Sequence, residues 1–204
     1  MAASDPLLVG IDLGAGSLKI SIIKADGSLV SEASASVATS SPHPGWSEQN
    51  PDDWWLAACD ALRRGLKASG RPASDIAAIS FSAGAHTQVL EDADGHVIRP
   101  AILWNDQRSR EETQQLRDKA DARILEIGAN RANPTWTLPQ MLWLRKNEPE
   151  SFKRVSNIID SNASCNRELM ATICDFRCSE HDIVDLAPRR KIFCRNRPQA
   201  VLDL

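Results

Sequence analysis

No apolar run in the 204 residues approaches the roughly 18 needed to cross a bilayer. The first ten residues, MAASDPLLVG, carry neither a basic start nor a signal-length hydrophobic stretch, so the expected compartment is the cytoplasm. Excess positive charge is missing as well. With 24 Lys and Arg against 27 Asp and Glu, the net charge is −3, which offers no basic face to nucleic acid or to an anionic membrane. A disulfide framework is also absent: five cysteines are an odd number, widely spaced, and fit a reducing compartment. What remains, 42% hydrophobic and 25% charged, is an ordinary globular composition, long enough for one good core or two small domains.

The absences are unevenly distributed. No glycine follows Gly128 and no tryptophan follows Trp143, so the end of the chain has neither the residues that turns use nor the large rings that anchor cores. Cys59 is the one cysteine before Asp160, whereas Cys165, Cys174, Cys178 and Cys194 come after it. These shifts place a boundary near Ile159.

Before that boundary the patterns are those of an α/β protein. Leu7 to Leu13 is a short apolar run interrupted by Asp12, read as a strand buried on both faces with an acid to be explained. Leu18, Ile20 and Ile22 alternate with Lys19, Ser21 and Ile23, and Asp26-Gly27 permits a tight hairpin into Ser28-Leu29-Val30. Asp94-Gly95 makes a second hairpin between Thr87–Leu90 and His96–Ile98, and Ile76–Phe81 supplies another strand. Asn50-Pro51-Asp52-Asp53 is a helix start, followed by a stripe of Trp55, Cys59, Leu62 and Leu66 and a stop at Gly70. Ser109 with Glu112, and Thr137 with Gln140, read as capping boxes of two further helices. Strands lead and helices follow, which gives the class α/β.

Three segments carry candidate chemistry. Asp12 is followed by Gly14-Ala15-Gly16-Ser17-Leu18-Lys19, a turn whose N–H groups can cradle phosphate oxygens beside an aspartate placed for Mg²⁺. It matches neither the P-loop nor the dinucleotide pattern, and reads equally as a glycine-rich hairpin with a turn aspartate. His86, in Ser82-Ala83-Gly84-Ala85-His86-Thr87, lies where a strand ends, a common place for ligand contacts, although a lone histidine is more often structural. Trp104-Asn105-Asp106-Gln107-Arg108 delivers an indole, an amide, an acid and a guanidinium, the mixture that sugar recognition uses, or else leads into a helix cap. Trp46, Trp54, Trp136 and Trp143 read as packing residues, and Glu48 as a partner for Arg108 or another base.

Taken together, GIDLGAGSLK (10–19), PHPGWSEQNPDDWW (42–55), SFSAGAHTQVLEDADGHVIRPAILWNDQRS (80–109) and TLPQMLWLRKNEPE (137–150) resemble, in order and spacing, the N-terminal domain of the FGGY family of carbohydrate kinases, most closely its xylulokinase-like members. The resemblance implies a ribonuclease-H-like fold of the actin/hexokinase type, incomplete here, with residues 1–159 as the sugar-binding domain and 160–204 as a frameshifted or otherwise unrelated tail. It implies ATP and Mg²⁺ as cofactors, with Asp12 (holding Mg²⁺ through water), Gly14, Gly16, Ser17 and Lys19 facing metal and phosphates. It also implies a sugar partner met by His86, Trp104 and Asp106, and the family's homodimer.

This sequence departs from the family in places. Ala15-Gly16-Ser17 replaces the usual Thr-Ser-Gly, and Ala85 replaces the methionine common before the histidine. The family's catalytic aspartate, in a Gly-Asp-Asn-like segment, has no counterpart. The expectation is therefore a truncated sugar kinase whose parent reaction phosphorylates a ketopentose or similar polyol, with little activity of its own. The alternatives are a non-catalytic sugar-binding or regulatory module, half of a split kinase, or a tail organised by zinc through Cys174, Cys178, His181 and Cys194.

Overall fold

The computed structural model describes residues 5–161, 164 and 165. The cysteines and histidine of the zinc reading at 174–194 lie outside these residues. Among those described, no helix is long and apolar enough to cross a membrane.

The first sheet has strand order β3-β2-β1-β5, from β1 (Leu7–Leu13), β2 (Ser17–Lys24), β3 (Leu29–Ser36) and β5 (Ile76–Ala83). β1 pairs antiparallel with β2 and parallel with β5, and β2 pairs antiparallel with β3. The hairpins read from the sequence are therefore present. β1 differs from its reading in one respect: Leu7, Val9, Ile11 and Leu13 are buried while Gly10 and Asp12 are exposed, so only one face is covered. The two-residue period of a strand puts Asp12 on the open face, and no buried acid needs explaining.

Helix α1 (Pro51–Ser69) covers the other face. The Asn50 side chain accepts from the Asp52 N–H, Pro51 takes the first turn, and Gly70 closes the helix at φ 65°. The helix face differs from the expected stripe. Its buried residues are Pro51, Trp54, Ala57, Ala58, Ala61 and Gly65, with Trp55, Leu62 and Leu66 packed at the margin. Small side chains bring α1 close to the sheet, and a Cβ on Gly65 would stand 2.4 Å from Ile20 Cδ1.

The second sheet, β4-β7-β6-β8, is built from short pieces: β4 (Glu48–Gln49), β6 (Gln88–Glu91), β7 (Ala101–Ile102) and β8 (Asn157–Asp160). The hairpin at Asp94-Gly95 returns through a single bridge, Glu91 to Val97. Helices α2 (Arg110–Gly128), α3 (Thr137–Asn147) and α4 (Pro149–Arg154) follow β7. Neither capping box forms. Ser109 Oγ donates to the Pro134 carbonyl at 2.6 Å, and Thr137 is the first residue of α3, after Trp136 at the cap. Leu90, Met141, Trp143 and Leu144 make a second, smaller core.

The boundary read at Ile159 falls inside β8. Cys165 is buried at 3% exposure within the core of the first sheet.

Candidate functional site

β1 and β5 are parallel neighbours, with Asp12 opposite Ser82 and Leu13 opposite Ala83. The turns that follow them therefore leave the same end of the sheet, the end at which open α/β sheets bind ligands. A cleft between them is lined by Gly14, Ala15, Gly84, Thr87 and Trp104, with Gln49 and Trp54 at its base. At about 20 Å³ it has room for about one water, so a sugar would lie over it and not inside it.

On the β1 side, the Gly14 N–H donates to the Ser17 carbonyl at 3.0 Å, and the Gly16 carbonyl accepts from the Val37 N–H at 3.1 Å. The turn's own bonding thus uses Gly14 and leaves the N–H groups of Ala15 and Gly16 open among the described residues. Asp12 and Lys19 face each other across the β1–β2 ladder, both exposed, and make no ion pair among the described residues. The exposed Asp12 carboxylate is a hard oxygen ligand of the kind Mg²⁺ takes, directly or through water, whereas the open N–H groups beside it suit an anion. Ser17, half-buried at the start of β2, stands beside them.

On the β5 side, His86 is exposed and held at φ 58°, a left-handed conformation that is uncommon outside glycine. Its ring stacks on Trp136 at 5.8 Å and 21°. Trp136, read from the sequence as packing, thus packs beside the candidate site. Trp104 is 48% exposed and lies against Gly84, where a Cβ would meet Trp104 Cδ1 at 3.0 Å. Only glycine lets the indole come so near the backbone. Ser161 ties the far end down, its N–H donating to the Thr87 carbonyl at 3.0 Å and its hydroxyl to the Gly84 carbonyl at 3.2 Å.

Asp106 lies elsewhere. It is 1% exposed, and its carboxylate accepts from the Ser47 N–H at 2.6 Å and from the Arg108 guanidinium at 2.8 and 3.0 Å. Those bonds engage both oxygens, so this geometry gives Asp106 the work of holding the 46–48 segment and Arg108 and does not bring it to a sugar hydroxyl. Arg108 in turn donates to Glu48 at 2.7 Å and stacks 3.8 Å over the Trp46 ring. Glu48 is thus the partner of Arg108 that the sequence suggested, and it also receives Arg99. Of the expected residues, Asp12, Gly14, Gly16, Ser17, Lys19, His86 and Trp104 gather at one sheet end.

Gln49 and Trp54 were not read as site residues. The Trp54 indole N–H donates to Gln49 Oε1 at 2.8 Å, and Gln49 Nε2 donates to the Ala15 carbonyl at 2.7 Å. Their adjacency in the WSEQNPDDWW segment was the available signal, since an indole N–H buried beside an amide needs an acceptor.

The N-terminal domain model of the FGGY family of carbohydrate kinases matches residues 7–181, running past Asp160. The xylulose kinase of Bacillus subtilis (strain 168) is 38% identical over 149 residues, covering 73% of this chain and 30% of that protein. That of Lactococcus lactis subsp. lactis (strain IL1403) is 39% identical over 153 residues, covering 74% and 30%. The crystal structure of xylulose kinase from Rhodospirillum rubrum superposes with a TM-score of 0.74 at 28% identity, over 78% of this chain and 33% of that one. The chain therefore spans about a third of the length of the relatives it matches. Its α/β fold is the ribonuclease-H-like, actin/hexokinase type, and by fold and sequence the chain belongs to the FGGY family of carbohydrate kinases, through that family's N-terminal domain.

Proposed function

We propose that this chain carries the sugar-binding part of an ATP-dependent carbohydrate kinase, acting in the cytoplasm on a ketopentose or similar polyol. The observation that supports it best is the convergence, at the paired ends of β1 and β5, of an open glycine turn with a shelf made by Trp104, His86 and Trp136. An exposed indole gives a sugar a flat apolar face, and His86 offers its C–OH groups a donor or acceptor. Asp12 would hold Mg²⁺, which supplies charge neutralisation to transferring phosphate oxygens, while Gly16, Ser17 and Lys19 present N–H, hydroxyl and ammonium donors to the same anion.

The 204 residues by themselves turn over little or no substrate. Phosphoryl transfer depends on fixing a hydroxyl, a nucleotide and a metal together, and a cleft of about 20 Å³ encloses none of them. The test is calorimetric titration of the purified chain with D-xylulose and, separately, with ATP and Mg²⁺, beside a coupled phosphorylation assay. Saturable xylulose binding that is lost in Trp104→Ala, without measurable turnover, is expected. Turnover by the isolated chain would overturn the claim of inactivity, and absence of sugar binding would overturn the sugar-binding claim.

A further inference from the structure

Gln49 is a buried amide, 3% exposed, whose hydrogen bonds run in one direction. An indole N–H only donates and a carbonyl only accepts, so Oε1 must face Trp54 and the NH₂ must face Ala15. That NH₂ reaches the Ala15 carbonyl at 2.7 Å and the Thr39 hydroxyl oxygen at 2.9 Å, while the Thr39 hydroxyl itself donates to the same Ala15 carbonyl at 2.9 Å. The Ala15 oxygen is thus held by two donors. Trp54, 1% exposed in the core of α1, anchors the far end.

A trans peptide is planar, with its C=O and N–H pointing to opposite sides, and no peptide bond in the described chain is cis. Drawing the Ala15 oxygen toward Gln49 and Thr39 therefore turns the Gly16 N–H the other way. A Cβ built on Gly16 would meet nothing within 4 Å, so the turn is uncrowded there, and the Gly16 N–H has no acceptor among the described residues. The opposite peptide orientation would present a carbonyl oxygen there and repel an anion.

We infer that Gln49, oriented by Trp54 and assisted by Thr39, is a positioning residue that fixes the Ala15–Gly16 peptide with its N–H outward, ready for a phosphate oxygen. The role rests on the phosphate reading of the turn given above. The orientation itself does not depend on that reading and can be read without ligand.

The test uses isotope-labelled full chain and inorganic tripolyphosphate as the probe. In Gln49→Met the Ala15 carbonyl and Gly16 amide resonances should move in the absence of ligand, and tripolyphosphate affinity should fall about tenfold, the loss of one oriented donor. Gln49→Glu keeps an acceptor for Trp54 but turns a carboxylate on the Ala15 carbonyl, so it should perturb the turn at least as much. If Gln49→Met fails to fold, Thr39→Val, at an exposed position, should shift the same two resonances by less. Unchanged Ala15 and Gly16 resonances in Gln49→Glu and Thr39→Val would overturn the inference. If the wild-type turn ignores tripolyphosphate while those resonances still respond to the variants, the phosphate reading falls and the orientation by Gln49 stands.

Discussion

The two sheets of this molecule are held together by different physics. The first rests on burial of Leu7, Val9, Ile11, Leu18, Ile20 and Ile22 against a helix face of tryptophan and alanines, with polar groups on the open side. The second, with strands of two to four residues, places buried charge at its centre: Arg108 is fully covered and shared between Asp106 and Glu48 under the Trp46 and Trp143 rings. Apolar burial is non-directional and tolerates adjustment. A buried ion pair is directional and fails when either partner is lost. The site draws on both sheets, taking its turns from the ends of β1 and β5 and its floor from Gln49 of β4.

The largest test breaks the second sheet. Arg108→Met should destabilise the chain by about 3–5 kcal/mol, because it leaves the Asp106 carboxylate buried without a guanidinium and Glu48 with Arg99 alone. Adding Asp106→Asn, which still accepts from the Ser47 N–H, should return part of that loss. Urea denaturation of the single and double variants measures both. A double variant less stable than Arg108→Met would show that the carboxylate is worth more than its pairing with Arg108.

The same operation on the first sheet should cost less. In Gly65→Ala the new Cβ presses on Ile20 Cδ1, a terminal methyl that can move, so the expected loss is about 1–2 kcal/mol after the gain in helix propensity. Ile20→Val removes the atom pressed upon. The double variant should therefore be less destabilised than the sum of the two single changes, and strict additivity would deny the contact.

That difference also decided what the sequence could tell. β1, β2 and the N-terminus of α1 were legible because alternation and capping are local signals, and the Asn50-Pro51 start appears as read. The face of α1 was placed one residue off, since Trp55, Cys59, Leu62 and Leu66 carry more hydrophobicity than the alanines and Gly65 that pack closest. β4 and β7 have two residues each and no period to detect. The glycine turn, His86 and Trp104 could be singled out as candidates because their positions follow strand ends. The burial of Asp106 was not legible because its contact with the Ser47 N–H, 59 positions away, is made only in the folded chain. The stacking of Trp136 on His86 was hidden for the same reason, since it spans fifty positions of sequence, 86 to 136.

A smaller effect belongs to the cap of α1. Asn50→Ala should cost about 0.5 kcal/mol, the low end for such caps, because its bond to the Asp52 N–H is long at 3.3 Å. Thermal unfolding that shifts by more than a few degrees would mean that Asn50 supports more than the helix end.

The smallest effect concerns the hairpin of the second sheet at its acid limit. The His96 backbone N–H donates to Asp92, as do the Arg154 side chain and the Asp94 N–H, and together they hold its carboxyl below the usual carboxylate range. A carboxylate whose folded pKa is lowered contributes stability that is in place above the unfolded value, about 3.9, and is lost as pH falls through the lowered folded value. Asp92 is half-buried, but its partners His96 and Arg154 are exposed and screened by solvent, so the contribution is small and confined to that acid window. Asp92→Asn should flatten the dependence of stability on pH below about 4 and leave it unchanged at neutral pH. The Gly65→Ala variant should keep the wild-type dependence, since no titrating group is touched. An acid slope identical in wild type and Asp92→Asn would mean that the hairpin's hydrogen bonds survive protonation. The contrast between a charge-organised sheet and an apolar one would then end at the Arg108 cluster, with the 92–96 turn belonging to neither.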